Sequence, residues 1–320
     1  MKKIALLTSG GDAPGMNAAI RSVVRRGISK GLEVYGIHRG YQGLIERDCE
    51  ALSAASVAGI IQRGGTILRT ARSEDFRSSE GRKVAADNLK MLGIDGLIVI
   101  GGDGSLKGAE TLSKEFGVST MVIPGTIDND MAGTDYTIGF DTALNNILDG
   151  VNKIRDTANS HQRVAIIEVM GRNSGQLALM AGLSCGAEII LVPEFEWSYE
   201  DVCHQIYESH QKGKLYSIII VAEGAAKGVD VGNKISRRTG ADVNVTVLGY
   251  LQRGGSPTAI DNIAGTRLGA RAVDELLGGN RDCLVGMKNG EVTCIPYEDT
   301  YKLKHDLKLA LYDLAAGLSR

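Results

Sequence analysis

Pro124-Gly125-Thr126-Ile127-Asp128-Asn129-Asp130 follows the short apolar run Thr120 to Ile123, and one βα unit upstream Gly101-Gly102-Asp103-Gly104-Ser105 follows the run Gly96 to Ile100. Apolar runs of this length bounded by glycine and acidic residues predict buried parallel strands. Both loops would then leave the carboxyl edge of one sheet, where open α/β folds bind their ligands. That edge would gather Asp103, Asp128 and Asp130 beside backbone unscreened by Cβ atoms. Gly, Asp and Asn are also ordinary turn residues, so one such loop says little, and two in series say more.

Carboxylates with open backbone suit a metal–polyphosphate site. Mg²⁺ takes one or two carboxylates together with substrate phosphates, and glycines let N–H groups approach those phosphates. Asp103 fits the ligand of such an ion. A carboxylate near the transferred group would accept the proton of an attacking hydroxyl, and either Asp128 or Asp130 fits that role.

Working outward, strand-like runs alternate with amphipathic stretches. The strands are expected at Ile4–Thr8, Glu33–Ile37, Gly96–Ile100, Thr120–Ile123, Val164–Val169, Glu188–Val192, Ser217–Ala222, Val243–Leu248 and Cys283–Met287. Helices are expected at Asn17–Lys30, Gly81–Leu92, Leu106–Phe116, Thr142–Asn159, Gln176–Leu183, Tyr199–Lys212, Ala259–Leu277 and Leu303–Leu318. This alternation predicts an α/β fold with parallel sheets covered on both faces. At 320 residues the chain exceeds one typical core, which predicts two lobes, and the long helix after Gly139-Phe140 would bridge them.

Composition narrows the classes. Hydrophobic residues make up 43% and charged ones 23%, ordinary values for a packed chain. A net charge of −2 gives no overall pull toward nucleic acid or an anionic membrane, so phosphate recognition must be local. The cysteines Cys49, Cys185, Cys203, Cys283 and Cys294 are scattered and form no Cys-x-x-Cys pair, as in a reduced cytoplasmic protein. No apolar run approaches the ~20 residues of a membrane span, and no signal-like segment precedes the first strand. Gly10-Gly11-Asp12-Ala13-Pro14-Gly15-Met16-Asn17 joins the first strand to the first helix and makes a plausible phosphate cradle. It lacks the Gly-x-Gly-x-x-Gly spacing, and His38-Arg39 stand where an acidic residue would end the next strand, which disfavours a nicotinamide enzyme.

Thr8 to Asn17, Gly101–Ser105, Pro124–Asp130, Glu168-Val169-Met170-Gly171-Arg172 and Leu251-Gln252-Arg253-Gly254-Gly255-Ser256-Pro257-Thr258 together resemble the bacterial ATP-dependent 6-phosphofructokinase family. The motifs stand in the family's order and span nearly the whole chain. The resemblance implies Mg²⁺-dependent transfer of the ATP γ-phosphoryl group to the C1 hydroxyl of fructose 6-phosphate, giving fructose 1,6-bisphosphate and ADP. It implies two similar three-layer αβα lobes: a nucleotide lobe over 1–138 plus roughly 251–301, and a sugar-phosphate lobe over 139–250 plus roughly 302–320. A cytoplasmic homotetramer that binds neither nucleic acid nor membrane is implied as well.

The same resemblance distributes roles. Asp128 becomes the general base and Asp103 the Mg²⁺ ligand, with Thr126 and Asp130 beside the reacting hydroxyl and the metal. Arg172 and Arg72 would stabilise charge on the transferring phosphoryl group. The nucleotide is implied to meet Gly11, Arg72, Ser73, Phe76, Arg77, Arg82, Gly102, Asp103, Gly104 and Ser105, with Gly108 leaving room for the adenosine. The sugar would lie against Thr126, Ile127, Met170, Gly171 and Glu223, and its 6-phosphate on Arg163 and Arg253. Asn244 stands where the family usually has an arginine reaching across a subunit interface, and Tyr250 where a histidine is expected, so that phosphate pocket loses a cation.

A second cationic group is Arg21 and Arg25, four apart on the first helix, a like-charge spacing that a solvated face tolerates and an anion relieves. The resemblance adds Arg155, Glu188, Lys212 and Lys214 as an effector site for ADP or phosphoenolpyruvate between subunits. Gly59 replaces an aspartate found there in well-regulated relatives, which implies weak control. Two alternatives stay open: a pyrophosphate-dependent kinase and a catalytically impaired regulatory subunit. Glycine at 104 and 125, where the pyrophosphate type resembles aspartate and lysine, speaks for ATP. The intact Asp103, Asp128 and Asp130 speak against an impaired subunit.

Overall fold

The computed structural model describes residues 1–303 and 307–318. It divides into two compact units, Met1–Thr142 with Arg253–His305 and Ala143–Gln252 with Asp306–Arg320. The divisions thus fall at 142 and 252, a few residues beyond the expected 138 and 250.

In chain order the strands are β1 (Lys3–Ser9), β2 (Glu33–Ile37), β3 (Cys49–Leu52), β4 (Gly96–Gly101), β5 (Thr120–Pro124), β6 (Val164–Val169), β7 (Ile189–Leu191), β8 (Ser217–Ala222), β9 (Val243–Val247), β10 (Cys283–Lys288) and β11 (Glu291–Pro296). The α-helices are α1 (Met16–Ser29), α2 (Gly40–Glu46), α3 (Ser79–Leu92), α4 (Asp103–Phe116), α5 (Phe140–His161), α6 (Gln176–Cys185), α7 (Tyr199–Gln211), α8 (Gly228–Thr239), α9 (Ala259–Leu277), α10 (Tyr297–Thr300) and α11 (Leu309–Leu318).

The first unit holds a sheet in the order β11-β10-β5-β4-β1-β2-β3, parallel from β10 to β2 with antiparallel β11 and β3 on its edges. Ala5 and Leu7 of β1, Leu97 and Val99 of β4 and Val122 of β5 pack on Leu44 of α2, Leu89 of α3 and Leu106, Ala109 and Leu112 of α4. The alternate residues Ile4, Leu6, Ile98, Ile100, Met121 and Ile123 are equally buried. On their side α1 and α9 lie so close that a Cβ on Gly269 would stand 2.7 Å from the Ala19 carbonyl. Burial on both faces is why these strands read as continuous apolar runs.

The second unit's sheet, β7-β8-β6-β9, is parallel throughout. Val164, Ile166, Ile219 and Val221 pack on Val202 and Ile206 of α7 and Val231 and Ile235 of α8, while α6 lies against β8 and carries α11. Both units are therefore α/β, with sheets of seven and four strands.

The differences from the sequence reading have local causes. Strands β3 and β11 pass unrecognised because they are half-solvated edges, with exposed Glu50 and Ala51 in one and partly exposed positions along the other. Helix α8 opens on Gly228-Val229-Asp230-Val231-Gly232, poor helix formers all. Packing accounts for its glycines: a Cβ on Gly232 would lie 2.6 Å from Val245 of β9. The short helices α2 and α10 are likewise absent from the reading. The last helix starts at Leu309 rather than Leu303, and 304–306 fall outside the described residues. No described helix is long and apolar enough to cross a membrane.

Candidate active site

Strands β4 and β5 are neighbours with Gly101 opposite Pro124, so the loops that follow them adjoin. A Cβ on Gly102 would meet the Thr126 side chain at 3.6 Å. Asp103 to Ser105, expected as loop, form the first turn of α4, because extended Gly102 caps it and a carboxylate suits a helix N-terminus. Asp103 is exposed there, Gly104 faces open space, and the buried Ser105 side chain tucks under Gly101.

The second loop is closed by its own side chains. Asn129 stands in the left-handed region, φ 49°, which Asn tolerates better than most residues. Its Oδ1 accepts from the Thr137 amide at 2.9 Å and hydroxyl at 3.2 Å, the Thr137 hydroxyl also donates to the Thr126 carbonyl at 2.7 Å, and Ile138 N–H bonds Pro124 at 3.0 Å. Asp128 inside this neck is 2% exposed, its amide donating to the Thr126 hydroxyl at 3.2 Å. Ile127 is buried and Asp130 and Thr126 are half-buried.

Around this edge the other expected residues of the first unit divide sharply. The Arg253 guanidinium lies over Gly11, where a Cβ would stand 2.6 Å from its Nη1, and reaches Asp12 at 3.9 Å. Thr70 donates to the Gly10 carbonyl at 2.8 Å, which brings the stretch leading to exposed Arg72 and to Ser73 against the same loop. Ser73 donates to Gln42 at 2.7 Å. Phe76 is buried and stacks on Tyr41 with ring centroids 4.0 Å apart. The room beside Gly108, expected for adenosine, holds the Tyr41 ring, whose hydroxyl donates to the Ser105 carbonyl at 2.7 Å. Arg82 clamps Glu115 with two bonds of 2.7 Å and donates to the Phe76 and Arg77 carbonyls, holding the Glu115 carboxyl below its usual range. Arg77 is exposed beside Glu74 at 3.1 Å.

In the second unit the chain leaves β6 through Met170, Gly171 (φ 138°) and Arg172 (φ 52°). Glu223, just after β8, accepts from the amides of Gly171 at 3.2 Å and Arg172 at 2.8 Å, and Gln252 accepts from Met170 at 3.0 Å. Glu194, after β7, takes the Gly175 amide at 2.7 Å. Arg163 bonds Asp242 at 2.6 Å. Asn244 is exposed opposite Ala165 on edge strand β9, and Tyr250 is 81% exposed. Arg163 and Arg253, expected to share one phosphate, belong to different units.

The phosphofructokinase family model matches residues 3–276. The chain belongs to the phosphofructokinase family. It is 53% identical to the ATP-dependent 6-phosphofructokinase of Halalkalibacterium halodurans and 54% identical to that of Clostridium novyi, each over 319 residues and the full length of both chains. Among solved structures, phosphofructokinase from Saccharomyces cerevisiae matches with TM-score 0.90 and 37% identity, covering 100% of this chain and 48% of the yeast one. The chain thus spans about half the length of that structure. A pyrophosphate-dependent phosphofructokinase from Nitrosospira multiformis shares the fold at TM-score 0.88 and 18% identity, over 100% of this chain and 92% of that one.

Of the residues expected from the sequence as an effector site, Arg21, Arg25 and Gly59 lie in the first unit and Arg155, Glu188, Lys212 and Lys214 in the second. Arg25 donates to the Ala54 carbonyl at 3.5 Å, and Gly59 sits at φ 65° facing open space. Buried Glu188 is held by Lys214 and the Ile218 amide, and Arg155 donates to the Cys185 carbonyl. A cavity of about 60 Å³ adjoins Glu188, too small for a nucleotide by itself. Lys212 is exposed at the end of α7. The reading of the sequence missed Tyr41, Asn129 and Thr137. Only for Asn129, beside two aspartates after a strand, did a local signal exist.

Proposed function

We propose that this protein transfers the γ-phosphoryl group of ATP to the C1 hydroxyl of fructose 6-phosphate, giving fructose 1,6-bisphosphate and ADP, a step of glycolysis. The observation that carries the proposal is the junction of the Gly101–Ser105 and Pro124–Asp130 segments, from adjacent strands, in a chain matched end to end by ATP-dependent relatives.

In this reading Asp128 takes the proton of the C1 hydroxyl, and the pinned loop keeps its carboxylate from wandering. Thr126 and Asp130 flank it, with Ile127 behind. Asp103, with the amides of the first turn of α4, receives the polyphosphate end of Mg-ATP. Mg²⁺ takes one or two carboxylates and completes its shell with substrate phosphates, so Asp103 would suffice as a protein ligand. Mg²⁺ bound there would neutralise charge on the β- and γ-phosphates. Arg72 and Arg172 stabilise charge on the transferring group, and Gly11, Ser73, Phe76, Arg77, Arg82, Gly102, Gly104 and Ser105 line the nucleotide's side, whereas Gly108, covered by Tyr41, is left out. Met170, Gly171, Glu223, Arg163, Arg253, Asn244 and Tyr250 belong to the sugar-phosphate side.

Two positions favour ATP over pyrophosphate. Gly104 leaves open space for further phosphates, and a lysine at 125 would set its Cβ 3.0 Å from Met16 and 3.1 Å from Ile100. A cytoplasmic homotetramer, with ADP or phosphoenolpyruvate acting at the Arg21, Arg25, Gly59, Arg155, Glu188, Lys212 and Lys214 positions, completes the proposal. Turnover of fructose 6-phosphate with Mg²⁺ and either ATP or pyrophosphate tests it, and faster turnover with pyrophosphate overturns it.

A further inference from the structure

Asp261, on α9, has no solvent exposure, and its carboxylate accepts four hydrogen bonds. The Tyr136 hydroxyl at 2.7 Å and the Gly139 amide at 2.6 Å meet Oδ1; the Thr142 amide at 2.8 Å and hydroxyl at 2.5 Å meet Oδ2. Burial pushes this carboxyl above its usual range, against the pull of those donors. Leaving a carboxyl in such a place is costly unless its partners are fixed.

All three partners lie at the far end of the segment that carries Asp128. Gly139, at φ 105°, lies against Ile127, whose Cγ2 a Cβ there would meet at 3.3 Å. The residue before it bonds the Pro124 carbonyl, and Thr137 closes the neck through Asn129 and Thr126. Strand β5 is one post of this loop, and the carboxylate of Asp261 grips the other.

We propose that Asp261 is a positioning residue for phosphoryl transfer: by fixing Gly139 and Thr142 it sets Ile127, and with it the place of the Asp128 carboxylate. This rests on the reading of Asp128 as the base. Asp261→Asn tests it because the shape is kept while one oxygen becomes an NH₂ group. The hydroxyls of Tyr136 and Thr142 can turn to accept from that group, but the amides of Gly139 and Thr142 cannot, so one backbone anchor is lost in either orientation.

The expected result is a kcat at least about tenfold lower, since misplacement by about 1 Å can cost ~10²-fold. KM for ATP and fructose 6-phosphate should stay within about twofold, and amide exchange should quicken over 126–142 and nowhere else. Tyr136→Phe removes one donor to Asp261 and the acceptor of the Asp141 amide at 3.3 Å but leaves both backbone amides on the carboxylate, and should lower kcat by a smaller factor, roughly twofold to fivefold, at unchanged KM. An unchanged kcat in folded Asp261→Asn overturns the proposal, as does a loss explained by general unfolding; where that variant does not fold, an unchanged kcat in Tyr136→Phe does so. Failure of the underlying reading looks different: the wild-type chain would be inactive with ATP, or Asp128→Ser would keep its kcat.

Discussion

At the end of β4 the chain turns through Gly101-Gly102 into exposed Asp103 at the start of α4, whereas at the end of β6 it turns through Gly171-Arg172 and gives its amides to Glu223. Both are βα turns at a parallel carboxyl edge. The difference lies in what the neighbouring strand supplies. Beside β4 stands β5, whose loop is tied within itself by Asn129 and Thr137 and meets Gly102, the cap of α4, through Thr126. Beside β6 stands β8, which delivers a carboxylate directly onto the turn and holds Arg172 in the left-handed region. One edge leaves a helix N-terminus open and the other braces an arginine. The contrast shows that a turn's chemistry depends on the adjacent loop as much as on its own glycines.

The contrast breaks most visibly at Asp128. Asp128→Ser should lower kcat by ~10²–10⁴-fold, the usual cost of losing a general base, with little change in nucleotide binding. Steady-state kinetics decides it: a rise in KM alone would make Asp128 a binding residue.

A smaller effect is expected where the second turn is braced. Glu223→Ala leaves the buried Gly171 amide without its acceptor, a cost of about 1–3 kcal/mol, and opens the exposed Arg172 amide to water. Arg172 should then leave φ 52°, and KM for fructose 6-phosphate should rise roughly tenfold or more while KM for ATP holds. Equal changes in both constants would show that Glu223 serves the whole protein rather than this turn.

The smallest effect sharpens the comparison at β9. Asn244→Arg adds a cation at an exposed edge position, so solvent screening limits its gain to about 1 kcal/mol, roughly fivefold in KM for fructose 6-phosphate, with kcat little changed. An unchanged or raised KM would remove Asn244 from the phosphate's surroundings.

Several features were legible in the sequence because they are local. The central strands announce themselves as unbroken apolar runs, being covered on both faces, and Asp103 and Asp128 stand just past two of them. Edge strands β3 and β11, half in water, carry no such run. The clamp of Arg82 on Glu115 joins residues 33 apart, and the grip of Asp261 on Gly139 joins residues 122 apart. No periodicity links such pairs.

The sequence by itself therefore determined the α/β alternation, the two acidic glycine segments and the family. Tertiary structure alone decided that Tyr41 fills the space at Gly108, that Arg253 covers Gly11 and that Asp261 holds the far post of the Asp128 loop. Strand burial and helix capping depend on neighbours within a few residues, whereas hydrogen bonds between elements exist only once the helices have docked on their sheet.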